Sequence, residues 1–117
     1  MKSLFILNDP PYGTERTYNG LRLARNLFKH DDSADVTIFL MADAVLTAKA
    51  GQKTPDGYYN LERMLKSFIK KGGTVHLCGT CMDARGLGED ELQEGCKRST
   101  LDELTTASIE ADKVFVF

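Results

Sequence analysis

The stretch NLERMLKSFIKKGGTVHLCG, Asn60 to Gly79, passes from a helical period to a strand within twenty residues. Leu61, Met64, Leu65, Phe68 and Ile69 follow the i, i+3, i+4, i+7, i+8 spacing of a helix that buries one face, and Asn60 precedes them as a capping residue. Gly72-Gly73 closes that helix. Thr74–Cys78 is too short for another helix and reads as a strand, with its last residue a cysteine and the next a glycine. A helix that feeds a short buried strand is half of a βαβ unit, and the flanking sequence repeats the pattern.

Upstream, Lys2–Leu7 is an apolar strand that ends in the turn cluster Asn8-Asp9-Pro10-Pro11-Tyr12-Gly13. Thr14 is placed to cap a helix running to His30, with Leu21, Ala24 and Phe28 on one face and Arg16, Arg22, Arg25 and Lys29 on the other. Ala34–Met41 is a second strand with a nearly unbroken apolar end, the mark of burial on both faces in a parallel sheet. Ala42–Ala50 reads as a short helix, and Gly51–Gly57 as an exposed loop.

Downstream, Gly79–Gly95 is expected to be irregular, apart from one helical turn at Glu89-Asp90-Glu91. Cys96-Lys97-Arg98 is a brief fourth strand. Ser99 and Thr100 each have an acidic residue three positions on, so a capping-box start leads into a helix through Leu101, Leu104, Ala107 and Ile109 before a last strand, Lys113–Phe117. Alternating strands and helices specify a parallel α/β sheet covered on both faces, as a single domain over residues 1–117.

The charge balance excludes some partners. Fifteen Lys+Arg against seventeen Asp+Glu give a net −2 with both signs interspersed, which offers no basic footprint for nucleic acid or an anionic membrane. The one amino-terminal apolar run, Ser3–Leu7, is halted by Asn8-Asp9-Pro10-Pro11, too soon for a signal core or a membrane span, so a cytosolic location is expected. Three cysteines do not make a disulfide framework, and Cys78 and Cys81 form a C-x-x-C pair suited to chemistry.

Ligands of open parallel sheets bind beyond the carboxyl ends of the strands. That edge should hold Cys78, Cys81 and Arg85 as the candidate catalytic residues and Asn8, Tyr12, Gly13, Asp43 and Gly79 as the candidate substrate-binding ones. Cys78 at a strand end before Gly79 would be presented as a thiolate, its pKa drawn down from about 8.5 by N–H groups or by Arg85. The competing reading makes Cys78 a small apolar strand-end residue and Cys81 incidental. Neither G-x-G-x-x-G nor G-x-x-x-x-G-K-[ST] occurs, so no nucleotide cofactor is expected.

No metal is expected either, because Cys96 has no second C-x-x-C or histidine pair to complete a zinc set and His76 lies within a strand. Asp9 and Asp43 are explained by turn and cap duties, and Lys66, Lys70 and Lys71 by a solvated helix face. Tyr12, Tyr58 and Tyr59 flank loops, as surface aromatics facing a subunit or as core edges.

The segments LFILNDPPYGTERTYNGLRLA (Leu4–Ala24), FLMADAV (Phe39–Val45), GQK (Gly51–Lys53), LCGTCMDARG (Leu77–Gly86) and the closing ADKVFVF resemble DsrE-like proteins, most nearly the small YchN-like branch, over essentially the whole chain. The resemblance implies a three-layer α/β/α domain, flavodoxin-like in appearance, with a five-stranded parallel sheet. It also implies homo-oligomers, trimers or hexamers built from trimers. DsrE- and TusD-type relatives relay sulfur as a cysteine persulfide, and that role carries over to Cys78, whereas Cys81 belongs to the YchN-like pattern.

Three functions follow as expectations. The first is a sulfurtransferase or sulfur carrier with the persulfide on Cys78, its charge met by Arg85 or backbone N–H groups, and a sulfur donor or acceptor protein as partner. The second is an oligomeric binding or regulatory module that uses the Gly51–Tyr59 loop. The third is a dithiol redox protein that uses Cys78 and Cys81.

Overall fold

The computed structural model describes residues 1–117. Its strands are β1 (Lys2–Leu7), β2 (Asp35–Leu40), β3 (Thr74–Cys78), β4 (Cys96–Ser99) and β5 (Lys113–Val116). Its helices are α1 (Arg16–His30), α2 (Leu61–Lys70), α3 (Gly79–Ala84) and α4 (Leu101–Glu110). The strands form one sheet in the order β4-β3-β2-β1-β5, and every pairing is parallel.

The chain steps from β1 to β2 to β3 to β4 in one direction and then returns across the sheet to β5. Right-handed crossovers therefore put α1 and α2 on one face and α4 on the other. Leu7, Ile38, Phe5, Val75 and Leu77 fill the space beneath α1 and α2 together with Leu21, Leu65 and Phe68, all essentially inaccessible to solvent. The α1 backbone approaches β1 so closely that a Cβ on Gly20 would lie 2.5 Å from Leu7 Cδ2, which is why that helix position carries glycine.

The opposite face has thinner cover. Only Leu104 of α4 is buried, while Leu101, Ile109, Val114 and Val116 are exposed. No helix is long and apolar enough to cross a membrane.

Asn60 caps α2 as its sequence suggests, accepting the Arg63 N–H at 3.1 Å. Several local expectations are corrected. Thr14 does not cap α1: its hydroxyl donates to Asp9 Oδ2 at 3.1 Å, and the helix starts at Arg16 without a side-chain cap. Ala42–Ala48 is a 3₁₀ segment instead of a helix to Ala50, and the chain enters it through Ala42 at φ 49°. Of the two proposed caps of α4, Thr100 acts, accepting the Glu103 N–H at 3.1 Å, and Ser99 is the buried end of β4. Gly79–Gly95 is not irregular throughout, since its first six residues coil into α3.

Candidate functional site

Cys78 ends β3 and caps α3, so its sulfur sits where the sheet gives way to a helical turn. The Cys81 N–H donates to Cys78 Sγ at 3.3 Å, and the Thr80 hydroxyl lies 3.3 Å from the same sulfur. A thiolate has no proton to give, so with Cys78 ionised the Thr80 hydroxyl must be the donor. Burial raises the Cys78 pKa, but the Cys81 thiol, the Thr80 hydroxyl and the N–H groups of both residues outweigh it and hold the thiol below its ordinary value. Cys78 is 8% exposed, so the expectation of a thiol presented on the surface is corrected: it is recessed.

The recess is a cavity of about 420 Å³ walled by Phe39, Met41 and Leu101 on its apolar side and by Cys78, Gly79, Thr80, Cys81, Arg98, Ser99 and Thr100 on its polar side. Cys78 and Ser99 are partners in the β3–β4 register. The Ser99 hydroxyl is buried and bonds nothing, an unanswered polar atom in a residue of the cavity wall.

The guanidinium beside Cys78 belongs to Arg98, not Arg85. Arg98 reaches from β4 across Gly79, where a Cβ would come within 2.8 Å of its Nε. It is fixed by a two-pronged bond to Asp83, Nη1 to Oδ1 at 2.7 Å and Nη2 to Oδ2 at 2.9 Å. That pair holds the Asp83 carboxyl below, and the Arg98 guanidinium above, their ordinary values, and the Cys78 charge adds to the latter.

Arg85 attends the second cysteine. Its Nη1 donates to the Cys81 carbonyl at 3.1 Å and its Nε to Asp43 Oδ1 at 2.8 Å. Burial and the neighbouring Cys78 raise the Cys81 pKa, while the Ala42 N–H and the Arg85 charge oppose that rise. Ala42 is the sole non-glycine residue at positive φ, a conformation costing on the order of 1 kcal/mol for alanine. Cys96 begins β4 beside Val75, at the other end of the sheet, where burial pushes its thiol up to about 12.

The structure thus gathers Cys78, Gly79 and Cys81 around one cavity and attaches Asp43 and Arg85 to the Cys81 side of it. Asn8, Tyr12 and Gly13 stand elsewhere on the edge. Asn8 donates through Nδ2 to the Phe117 carbonyl at 3.1 Å, Tyr12 bonds Gln52, and Gly13 makes an open turn at φ 106°. The sequence reading missed Arg98, Ser99, Thr80 and Ala42. Gly79 beside them was singled out, and its missing Cβ is what lets the Arg98 side chain approach. No three His, Cys, Asp or Glu side chains are grouped to hold a metal ion.

The whole chain, residues 1–117, matches the DsrE/DsrF-like family model. It is 40% identical over 116 residues to "Protein YchN" of Escherichia coli strain K12, covering 99% of this chain and 98% of that protein. It is 38% identical over 117 residues to "Uncharacterized protein MJ0989" of Methanocaldococcus jannaschii, across the full length of both. The crystal structure of the E. coli ychN protein superposes with a TM-score of 0.95 at 40% identity, covering 99% of this chain and 98% of that one. The structure of MTH1491 from Methanobacterium thermoautotrophicum, at 14% identity with a TM-score of 0.81 and coverage of 99% and 98%, shares the fold.

Proposed function

The chain belongs to the DsrE/DsrF-like family, and from that membership together with the Cys78 cavity we propose that it is a sulfur carrier of the sulfurtransferase type, holding sulfur as a persulfide on Cys78. The observation that carries this reading is the convergence of donors on one recessed sulfur, the Cys81 N–H and the Thr80 hydroxyl, with the tethered Arg98 cation lying against the adjacent Gly79.

The Cys78 thiolate attacks the outer sulfur of a donor persulfide, R–S–SH. A new S–S bond forms on Cys78, the donor S–S bond breaks, and R–S⁻ leaves. R–S⁻ takes the proton of the transferred S–H, so the bound persulfide carries its negative charge on the outer sulfur, facing Arg98, in a cavity whose apolar lining is Phe39, Met41 and Leu101. An acceptor thiol then takes the outer sulfur. A reducing, cytosolic setting belongs to this proposal, as does a donor or acceptor protein as partner.

The homo-oligomer, trimer or hexamer, belongs to it too. The thinly covered α4 face, with Leu101, Ile109, Val114 and Val116 exposed, is the apolar surface such an assembly would bury. Leu101 also lines the Cys78 cavity, so assembly on this face would deepen it.

The test uses a reduced Cys81→Ser chain incubated with glutathione persulfide and read by intact and peptide mass. The expected result is a gain of about 32 Da mapped to Cys78, absent from the Cys78→Ser/Cys81→Ser double variant. Retention of the added sulfur by the double variant, or a glutathione adduct in place of a single sulfur atom, would overturn the reading. Native mass spectrometry of the same sample reads subunit number, and a lone chain there would remove the oligomer from the proposal.

A second reading, a binding module, has one observation in its favour: a cavity of about 370 Å³ lined by Gln52–Tyr58, Asn60 and Arg63 on the loop the sequence singled out. It requires ligand binding that survives Cys78→Ala.

A further inference from the structure

Cys81 has fittings that a pure carrier has no use for. Holding a persulfide on Cys78 calls on the Cys81 N–H, and any residue supplies an N–H. Yet the Ala42 N–H works to lower the pKa of the Cys81 thiol, and Ala42 is the one non-glycine residue at positive φ. It also has a cation of its own. Arg85 is anchored at both ends of its guanidinium, by the Cys81 carbonyl at 3.1 Å and by Asp43 at 2.8 Å, and Asp43 is the residue after Ala42. The 3₁₀ segment and α3 together therefore build a second place for negative charge, about the second sulfur of the same cavity.

We propose that Cys81 is a resolving nucleophile, so that the site releases its sulfur as hydrosulfide and acts as a persulfide reductase on low-molecular-weight persulfides. The inference rests on the Cys78 persulfide of the proposed function and goes beyond it in the fate of the sulfur.

The Cys81 sulfur attacks Cys78 Sγ, the inner sulfur of the persulfide. The bond from Cys78 Sγ to the outer sulfur breaks, a Cys78–Cys81 disulfide forms, and the outer sulfur leaves with the bond's electron pair. It takes the proton that Cys81 gives up, so Cys78–S–S⁻ and Cys81–SH become Cys78–S–S–Cys81 and HS⁻. The two cysteine sulfurs are oxidised and the sulfane sulfur is reduced by two electrons. Two equivalents of a low-molecular-weight thiol, themselves oxidised to a disulfide, return the site to its dithiol form.

The hydrogen bonding sets the order of events. Before loading, Cys78 is shifted down and Cys81 up, so Cys78 is the first of the pair to ionise, the proton stays on Cys81, and Cys78 attacks the donor. Once Cys78 Sγ is in an S–S bond, its charge has moved to the outer sulfur, toward Arg98. Cys81 loses the partner that held its proton and keeps the Ala42 N–H and Arg85.

The experiment follows reduced wild-type, Cys81→Ser and Cys81→Ala chains given one equivalent of glutathione persulfide, with acid quench, intact mass and sulfide assay. The wild type should release about one hydrosulfide per chain and become about 2 Da lighter, while both variants stay about 32 Da heavier and release at least about tenfold less sulfide. A wild type that keeps the extra sulfur as long as the variants do would overturn the inference and leave the carrier reading standing. Variants that gain no sulfur at Cys78 would overturn the carrier reading, and the inference with it.

Discussion

Two clusters share the carboxyl edge of the sheet, and they dispose of their polar atoms in opposite ways. Around Tyr12 the hydroxyls and rings answer one another. Tyr12 donates to Gln52 Oε1 at 2.6 Å and accepts the Leu61 N–H at 3.1 Å. Tyr18 stacks on Tyr59 at 4.1 Å, and Tyr59 on Tyr58 at 4.4 Å. The Tyr58 hydroxyl helps push the Tyr59 phenol up to about 12, so Tyr59 stays protonated at any physiological pH.

Around Cys78 the donors instead converge on a nucleophile that stays below its ordinary pKa, beside an orphaned Ser99 hydroxyl and open volume. The sheet-edge rule collects both clusters without telling them apart. What separates them is whether the polar groups are already answered.

The largest effect expected from this contrast lies among the thiols. With its pKa near 12, Cys96 holds about three orders of magnitude less thiolate at neutral pH than an unperturbed cysteine. Cys78 is shifted the other way. Its alkylation by iodoacetamide should therefore rise with pH through a midpoint below that of an ordinary cysteine, while Cys96 in the folded chain stays inert until strongly alkaline pH. Site-resolved alkylation across pH measures both. Equal rates at the two residues would erase the distinction drawn for Cys78.

A smaller effect tests the electrostatics. Arg98 is partly exposed, so its charge is screened, and Arg98→Met should slow Cys78 alkylation at neutral pH by no more than about tenfold, less in high salt. Gly79→Ala should act in the same direction, because its Cβ would displace the guanidinium. Arg85→Met should leave the Cys78 midpoint near its wild-type value, since Arg85 is bonded to Cys81 and Asp43. If Arg85→Met and not Arg98→Met moves that midpoint, the assignment of the two cations is reversed.

How much of this was legible in the chain follows from the kind of signal each part leaves. The strands and α2 have apolar runs, a cap and closing glycines, and their expected positions agree with the structure. The five-stranded parallel sheet of the DsrE-like resemblance is the observed sheet as well. Arg98 left no such mark. It lies in a four-residue strand, CKRS, with no apolar rhythm, and meets Gly79 only because β4 pairs beside β3 in that register. With six residues, α3 has too few positions for a helical period to show. Ala42 could not have been found, since alanine gives no hint of positive φ.

The smallest effect concerns the other cluster, and it tests whether the two are independent. Tyr12→Phe keeps the ring and removes the hydroxyl, leaving the Leu61 N–H at the start of α2 and Gln52 Oε1 without that partner. The cost should be about 1–2 kcal/mol of unfolding free energy, the penalty for a partly buried donor left unmet, and it should appear as a lower denaturation midpoint in urea. Sulfur loading and the Cys78 alkylation midpoint should not move, because no bond of Tyr12 touches Thr80, Cys81, Arg98 or Ser99. A variant that folds with this loss of stability but also loses Cys78 reactivity would show that the tyrosine loop shapes the sulfur site after all. The edge would then have to be treated as one site, as the sequence had first grouped it.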